Sequence, residues 1–348
     1  MKAHYKRYIL KFRYPGGTSR GVLREKETWF LFLSDGNRTG VGECGLFRGL
    51  SSDDQPDYED QLKFLCKRIN KNEILSVESL KCFPSIQMGY ETALLSLKSE
   101  DPFQLFPSPF TRGLDKIPIN GLVWMGDRSY MKAQIEEKIA QGFDCIKLKV
   151  GALDFNEEYS LIEEIRNNYS KEKIMLRLDA NGAFAPKGVM DKLQSLSSLE
   201  IHSIEQPIAS GQAEAMRKLC INSPIPIALD EELIGVIKKE ERIALLDKIM
   251  PNYLILKPSL LGGFQSCEEW IALAQERSIG WWVTSALESN IGLNAIAQWT
   301  FSLSVKSHQG LGTGNLFTNN FECPMTVSKG NLYFDINQNW KIPDICCI

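Results

Sequence analysis

Histidine is scarce in this chain of 348 residues: His4, His202 and His308 are the only three, and they are far apart. A zinc centre is therefore hard to assemble, since such sites draw on clustered imidazole and thiolate ligands. A histidine-based acid–base mechanism would rest on one isolated residue. Cysteine offers no framework either. The nine cysteines (Cys44, Cys66, Cys82, Cys145, Cys220, Cys267, Cys323, Cys346 and Cys347) are odd in number, scattered, and without a CxxC pair. They read as reduced, mostly structural thiols, as expected in a cytoplasm. No apolar run approaches the roughly 18 residues needed to cross a bilayer. "YILKF" near the start is too short and too interrupted by charge for a signal-peptide core. Neither membrane insertion nor export is expected. A net charge of −3 gives no electrostatic pull toward nucleic acid or an anionic membrane. The terminal "CCI" does not place a cysteine four from the end, so the prenylation pattern fails. No partner protein is implied, and the oligomeric state is left open.

What is present is a rhythm. From about residue 117, short apolar strand-like runs recur about every 25–30 residues: "IPINGLV", "CIKLKV", "IMLRLDA", "HSIEQP", "IPIALDE", "YLILKPS", "WWVTSA" and "HQGLGTG". Amphipathic helical patterns lie between them. "SYMKAQIEEKIAQG" ends in Gly142, a C-cap signal, and "NEEYSLIEEIRNNYS" opens with Asn156 as expected N-cap and acids in its first turn. Strands alternating with helices imply βαβ units and a parallel sheet, and eight of them suit a TIM-type (β/α) barrel. A doubly wound sheet is second, because no GxGxxG follows an early strand. The first part differs. "HYKRYILKFR" and "ETWFLFLSDGNRTGVGECG" alternate like antiparallel strands with a "DGN" hairpin turn, and helical stretches follow. The expected organisation is an α+β capping domain over 1–115, the barrel with the active site over 116–320, and a C-terminal segment, 321–348, returning to the cap. Of the two tryptophans in "WWVTSA", one is expected inside the barrel and one against the helices.

The run "DCIKLKVG", from Asp144 to Gly151, sets Ile146, Leu148 and Val150 on one face of a strand and Lys147 and Lys149 on the other. Taken alone, the pair reads as lysines facing water. The other strand ends change that reading. Barrel enzymes place chemistry at the C-terminal ends of their strands, and three consecutive ends carry Asp179 in "RLDANG", Glu205 in "SIEQP" and Asp230 in "ALDEE". Three converging carboxylates repel one another unless a cation joins them. Mg2+ is the candidate, being a hard cation that takes oxygen ligands, with Mn2+ as an alternative ion. Lys257, in "ILKPS", lies on the far side of this position from Lys147 and Lys149. A partly desolvated lysine near a dication has a lowered pKa and acts as a base near neutral pH. The chemistry expected is removal of the proton beside a carboxylate held by the metal, giving an enediolate.

The order KxK, Asp, Glu, Asp, Lys on successive strands, within "KLK", "LDANG", "IEQP", "ALDEE", "LKPSLLGG" and "TSALESNIG", resembles the enolase superfamily, muconate-lactonizing subgroup. A Lys or His base with Mg2+ is general in that superfamily. The resemblance covers nearly the whole chain. "SALESNIGLNAIAQW" followed by "HQGLGTGNLFTNN" is most similar to its o-succinylbenzoate synthase family. That resemblance implies a carbon–oxygen lyase of menaquinone biosynthesis, with a small-molecule carboxylate substrate, 2-succinyl-6-hydroxy-2,4-cyclohexadiene-1-carboxylate. It implies Asp179, Glu205 and Asp230 as Mg2+ ligands and Lys149 as the base, which then returns its proton to the departing hydroxyl. It further implies that Lys257 stabilises the anion from across the ring, and that Lys147 tunes Lys149 and contacts the carboxylate. No DxD stands at the last strand, unlike the dipeptide epimerases, and no His–Asp pair replaces Lys257, unlike the mandelate racemase subgroup. An N-acylamino-acid racemase would use the same two lysines and stays as the alternative.

Other residues complete the expected site. The glycine-rich "YPGGTSRG", Tyr14 to Gly21, reads as a lid from the cap that touches the succinyl tail through Thr18 and Arg20. "GLFRGLSSDD", Gly45 to Asp54, is a second lid candidate. Ser285 is placed to donate to the substrate carboxylates. Gly312, in "GLGTG", is read as a tight turn whose backbone approaches the substrate. Asn181 and Glu231 are expected to support the metal shell.

Overall fold

The aromatic run "WFLFL" is continuous because its sheet is covered on both faces. In the computed structural model, which describes residues 1–18, 21–73 and 75–342, strands β1 (Lys2–Thr18), β2 (Gly21–Ser34) and β3 (Thr39–Cys44) form an antiparallel sheet in that order. Trp29, Leu31 and Leu33 pack on helices α1 (Tyr58–Asn70) and α2 (Pro84–Lys98). Phe30 and Phe32 turn the other way, toward Phe321, Trp340 and Ile342.

The remaining elements run β4 (Lys116–Pro118), β5 (Gly121–Val123), α3 (Arg128–Ala140), β6 (Cys145–Lys149), α4 (Phe155–Asn168), β7 (Met175–Asp179), α5 (Val189–Ser197), β8 (Ser203–Glu205) and α6 (Ala213–Asn222). They continue β9 (Ile227–Leu229), α7 (Lys239–Ile249), β10 (Tyr253–Leu256), α8 (Pro258–Leu261), α9 (Gly263–Glu276), β11 (Gly280–Val283), α10 (Asn290–Ser302), β12 (Met325–Ser328) and β13 (Asn331–Phe334). Strands β5 to β11 form one parallel sheet in chain order. Parallel bridges from Ile119 to Gln309 and from Thr284 to Gly310 join its two ends. The architecture is a TIM-type (β/α) barrel with a small antiparallel cap.

Three local expectations differ from the fold. "HQGLGTG" occupies the eighth barrel position but, among the described residues, makes only those two bridges, since its glycines weaken a strand. "IPINGLV" breaks at Asn120: β5 enters the barrel, while β4 pairs with β13. The C-terminal hairpin β12–β13 thus extends β4, and it is the flanking Phe321, Trp340 and Ile342 that reach the cap sheet. Helix α4 is capped by Asp154, whose side chain accepts the N–H of Asn156, so the helix starts earlier than its acidic turn implied. Gly142 follows α3 with φ +79°, as the C-cap signal required. Trp282 packs with Ala228 and Ile255 in one cluster while Trp281 joins the outer core.

The proposed lid is not a free loop. Tyr14 to Thr18 continue β1, and after an irregularity between Lys11 and Gly16 the pairing resumes as far as Thr18 with Gly21. Gly17 lets this ribbon lie against the barrel. Its carbonyl accepts the Met125 N–H at 3.2 Å, and a Cβ there would come within 2.2 Å of the Met125 carbonyl oxygen.

A cap glutamate also seats a barrel helix. Glu91 of α2 accepts the N–H groups of Phe264 (2.6 Å) and Gln265 (3.1 Å) at the start of α9. Gly263, at φ +87°, makes room, since a Cβ would fall 2.0 Å from Glu91 Oε2. Burial, reinforced by Glu268 and Glu78, outweighs those hydrogen bonds and pushes the Glu91 carboxyl up to about 7. The native state therefore holds an extra proton between about 4.5 and 7. Stability falls as pH rises through that window and is unaffected by this group below it. The difference in unfolding free energy between parent and Glu91→Gln should shift toward the variant by up to about 3 kcal/mol from pH 4.5 to pH 8. Urea titrations of both proteins at the two pH values measure it. A difference that does not change with pH removes Glu91 as the titrating group.

Candidate active site

Each site residue occupies its position because of strand register. Neighbouring parallel strands pair Lys149 with Asp179 and Asp179 with Glu205. These three side chains consequently share one level of the barrel interior. Glu205 pairs with Ala228, and Asp230 stands two residues beyond it on the same inward face. Pro258 begins α8 directly after Lys257 and ends the strand there. Strands β6 and β10 are four positions apart in the barrel, so Lys149 and Lys257 come from opposite walls.

The ionised groups interlock. Lys147 Nζ donates to Glu205 Oε2 (2.6 Å) and lies 2.8 Å from Asp179 Oδ2. Lys149 Nζ donates to Asp179 Oδ2 (2.7 Å) and to Asn181 Oδ1 (2.6 Å). Lys257 Nζ donates to Asp230 Oδ2. All seven of these residues are buried. Burial lowers the Lys149 pKa, and the ammonium groups of Lys147 and Lys257 push the same way against the pull of Asp179 and Glu205. Burial acts likewise on Lys147, but Asp179, Glu205 and Asp230 outweigh it and hold that lysine raised. Lys257 is also raised: Asp230, Glu205 and Glu231 overcome its burial. Burial opposes ionisation of Asp179, yet Lys147, Lys149 and Lys257 together hold its carboxyl well below the usual range. Glu205 goes the other way, pushed well up by burial and by Asp179 and Asp230.

One oxygen in this cluster has no partner among the described residues. Glu205 Oε1 is buried without a hydrogen bond from any of them, which is unfavourable unless a cation or proton reaches it. With Asp179 and Asp230 it belongs to an all-oxygen donor set, the kind hard dications take. Among the described residues, no three acidic, histidine or cysteine side chains form a ready-made cation cage; ammonium groups stand between the carboxylates. The donor chemistry fits Mg2+, with the lysines as counter-charges.

A cavity opens above the charges. Lys147, Lys149, Asn181 and Lys257 form its floor, and Ser285 and Gly312 line it from the last barrel loops. Thr18 reaches it from the cap. Arg20 lies outside the described residues. Asn181, at φ +45°, also donates its own N–H to Asp179 Oδ1 (3.0 Å) and its side-chain amide to Glu231 Oε1 (3.0 Å). Ser285 Oγ pairs with Thr313 Oγ1 at 2.7 Å. None of the three histidines lines this cavity. His308 bonds Asp144 at 2.8 Å, and burial pulls His202 down to about 4.

Sequence reasoning missed much of the wall. Leu23, Phe47 and Leu50 of the cap, with Leu122, Trp124, Leu260 and Leu287 of the barrel, make the cavity largely apolar. Phe47 and Leu50 fell in a lid candidate, and Leu122, Leu260 and Leu287 in quoted strand and site motifs, but none of them was read as cavity wall. Gln206 was missed as well. Its Oε1 accepts the N–H groups of Asp230 (3.1 Å) and Glu232 (3.2 Å), which ties the β8 and β9 ends together. The sequence "IEQP" held that signal, since a glutamine beside a buried acid needs partners of its own.

Known proteins align with this architecture. A family model described as "Enolase C-terminal domain-like" matches residues 130–343. An o-succinylbenzoate synthase of Desulfotalea psychrophila is 44% identical over 363 residues, covering 95% of this chain and 98% of that protein. The crystal structure of MenC from Desulfotalea psychrophila superposes with a TM-score of 0.86 at 41% identity, over 96% of this chain and 99% of that one. The L-Ala-D/L-Glu epimerase of Bacillus subtilis shares the fold, with a TM-score of 0.81 at 21% identity over 98% and 97% of the two chains. An N-succinyl-L-Arg/Lys racemase of Bacillus cereus is 25% identical over 64% of this chain and 57% of its own length.

Proposed function

The chain belongs to the enolase superfamily, among the o-succinylbenzoate synthases, and on that premise we propose that it dehydrates 2-succinyl-6-hydroxy-2,4-cyclohexadiene-1-carboxylate to o-succinylbenzoate. It is a hydro-lyase of the menaquinone pathway. The observation that carries the residue assignment is that Lys149 and Lys257 reach the floor of one cavity from opposite walls of the barrel, beside buried Asp179, Glu205 and Asp230.

Asp179, Glu205 and Asp230 hold Mg2+ in this reading, with Mn2+ as the alternative ion. When bound there, the ion stabilises negative charge developing on the substrate carboxylate. Lys149, as the neutral amine, takes the proton from the carbon bearing that carboxylate. Burial, which lowers its pKa, favours that form. Asn181 Oδ1 orients its Nζ. The same lysine, now an ammonium, gives the proton to the departing hydroxyl, so water leaves and Lys149 returns to its starting state. The six-membered ring becomes aromatic, which supplies most of the driving force. Lys257 faces the ring from the opposite wall as an ammonium and offsets the transient negative charge. Lys147 keeps its proton between Asp179 and Glu205 and fixes both. The apolar walls exclude water, and Thr18, Arg20, Ser285 and Gly312 are assigned to the substrate's polar tail and carboxylates. The proposed location is the cytoplasm, which suits the seven described cysteines, all free thiols.

The purified protein should convert the cyclohexadiene to the aromatic product with Mg2+ and stop when a chelator is added, as followed by ultraviolet absorbance. Absence of turnover with Mg2+ present sinks the dehydratase assignment. Two opposed lysines also suit two-base racemisation, the second reading. Exchange of the α-proton of an N-succinyl amino acid in D2O, without dehydration, would favour it.

A further inference from the structure

A leucine in the cavity wall has a backbone that leucine rarely adopts. Leu287 has φ +62°, in the left-handed region, where the Cβ crowds the following carbonyl. Such a conformation persists only where its surroundings enforce it. Here both flanks are pinned by buried carboxylates. Glu288 Oε2 accepts the Ala286 N–H at 2.8 Å, on the near side of Leu287. On the far side the carboxylate comes from the cap. Glu43 of β3 accepts the Ser289 N–H (2.9 Å), the Ser289 hydroxyl (2.5 Å) and the Gly292 N–H (3.0 Å), and its fourth bond is from Thr28 Oγ1 at 2.9 Å. Lys26, buried on the same face of β2 as Thr28, is drawn electrostatically by both Glu43 and Glu288. The side chain held this way packs with Leu10, Trp124 and Phe317 and lines the cavity beside Ser285.

We propose that Glu43 is a positioning residue for the reaction: from the cap it pins the start of α10 and thereby holds Leu287 in its left-handed turn, where the leucine side chain forms the wall against which the substrate ring sits. This rests on the dehydratase reading for its substrate, but not for its mechanical part. The consequence is that the shape of the barrel's pocket depends on how the cap is seated. Binding and cap docking are then one event, with the leucine as the shared piece.

The test uses Glu43→Gln, which keeps the side-chain shape, Leu287→Gly, which removes both wall and strain, and the double variant. Glu43→Gln is expected to raise KM for the cyclohexadiene about tenfold while kcat stays within about threefold, the pattern of lost uniform binding. Leu287→Gly should do the same. The double variant should be no worse than the poorer single, because both act through one side chain. Effects that multiply in the double overturn the proposal. A substrate-free readout stands beside this one: amide exchange at Leu287, Ser289 and Gly292 should speed up at least tenfold in Glu43→Gln. Unchanged exchange there also overturns it. A parent that does not turn over the substrate defeats the function proposed above, and amide exchange alone then decides this inference. If Glu43→Gln does not fold, Ser289→Ala removes the 2.5 Å contact from the barrel side and should show the same pattern at about threefold.

Discussion

Lys149→Ala lowers kcat for the dehydration by about 10⁴, with folding intact. General acid–base catalysis contributes roughly 10²–10⁴, and the upper end is expected because one amine serves twice, first as base and then as acid. The nearest substitutes are poorly placed. Lys147 is committed to Asp179 and Glu205 and is held protonated by them. Lys257 is bonded to Asp230 and comes from the opposite wall of the barrel. The variant leaves Asn181 Oδ1 without the Lys149 ammonium and Asp179 Oδ2 with Lys147 alone of its two, so circular dichroism and a melting curve accompany the kinetics. Partial rescue by a small primary amine would mark the loss as chemical rather than structural. Activity within tenfold of the parent would remove Lys149 as the base and move the role to Lys257.

The parts legible in sequence are those where one residue carries one role at a periodic position. Alternation in "CIKLKV" placed both lysines on one face, and register then set Lys149 beside Asp179. The acids were legible because buried carboxylates at strand ends are rare without a reason. Fold class followed from the same rhythm. The eighth strand was overstated, since "HQGLGTG" has the spacing of a strand but the glycines of a turn. The ribbon from Tyr14 to Thr18 was taken for a loop because its glycines mimic one, although Gly17 serves close approach to Met125. The cavity walls were illegible for a different reason. Leu23 and Phe47 come from the cap, Leu122 from β5 and Leu287 from the loop after β11, and their meeting depends on how the two parts dock. Glu43 and Glu91 show how that docking is built, one carboxylate at the start of each of α10 and α9. Neither glutamate differs in sequence from a solvent-facing acid.

Glu205→Gln should cost at least about 10³ in kcat/KM and abolish any rise in melting temperature caused by Mg2+. It should leave the metal-free protein no less stable than the parent. The three outcomes share one cause. Glu205 is buried beside Asp179 and Asp230, and its Oε1 has no hydrogen-bond partner among the described residues. Burial disfavours its ionised form strongly enough to push the carboxyl well above the usual range. A buried charge of this kind weakens folding unless it is compensated, and Lys147 compensates only Oε2. Glutamine keeps an acceptor for Lys147 and removes the charge, so folding without metal loses little. It also removes one of the three anionic ligands proposed for Mg2+. Binding to the native state alone stabilises by about 2.7 kcal/mol at a hundredfold excess over Kd, so the parent's gain is readily measured and its absence in the variant equally so. Melting curves of both proteins with and without Mg2+ decide the matter. A Glu205→Gln protein that gains as much from Mg2+ as the parent would take Glu205 out of the ligand set, leaving its unpaired oxygen to be explained by a proton.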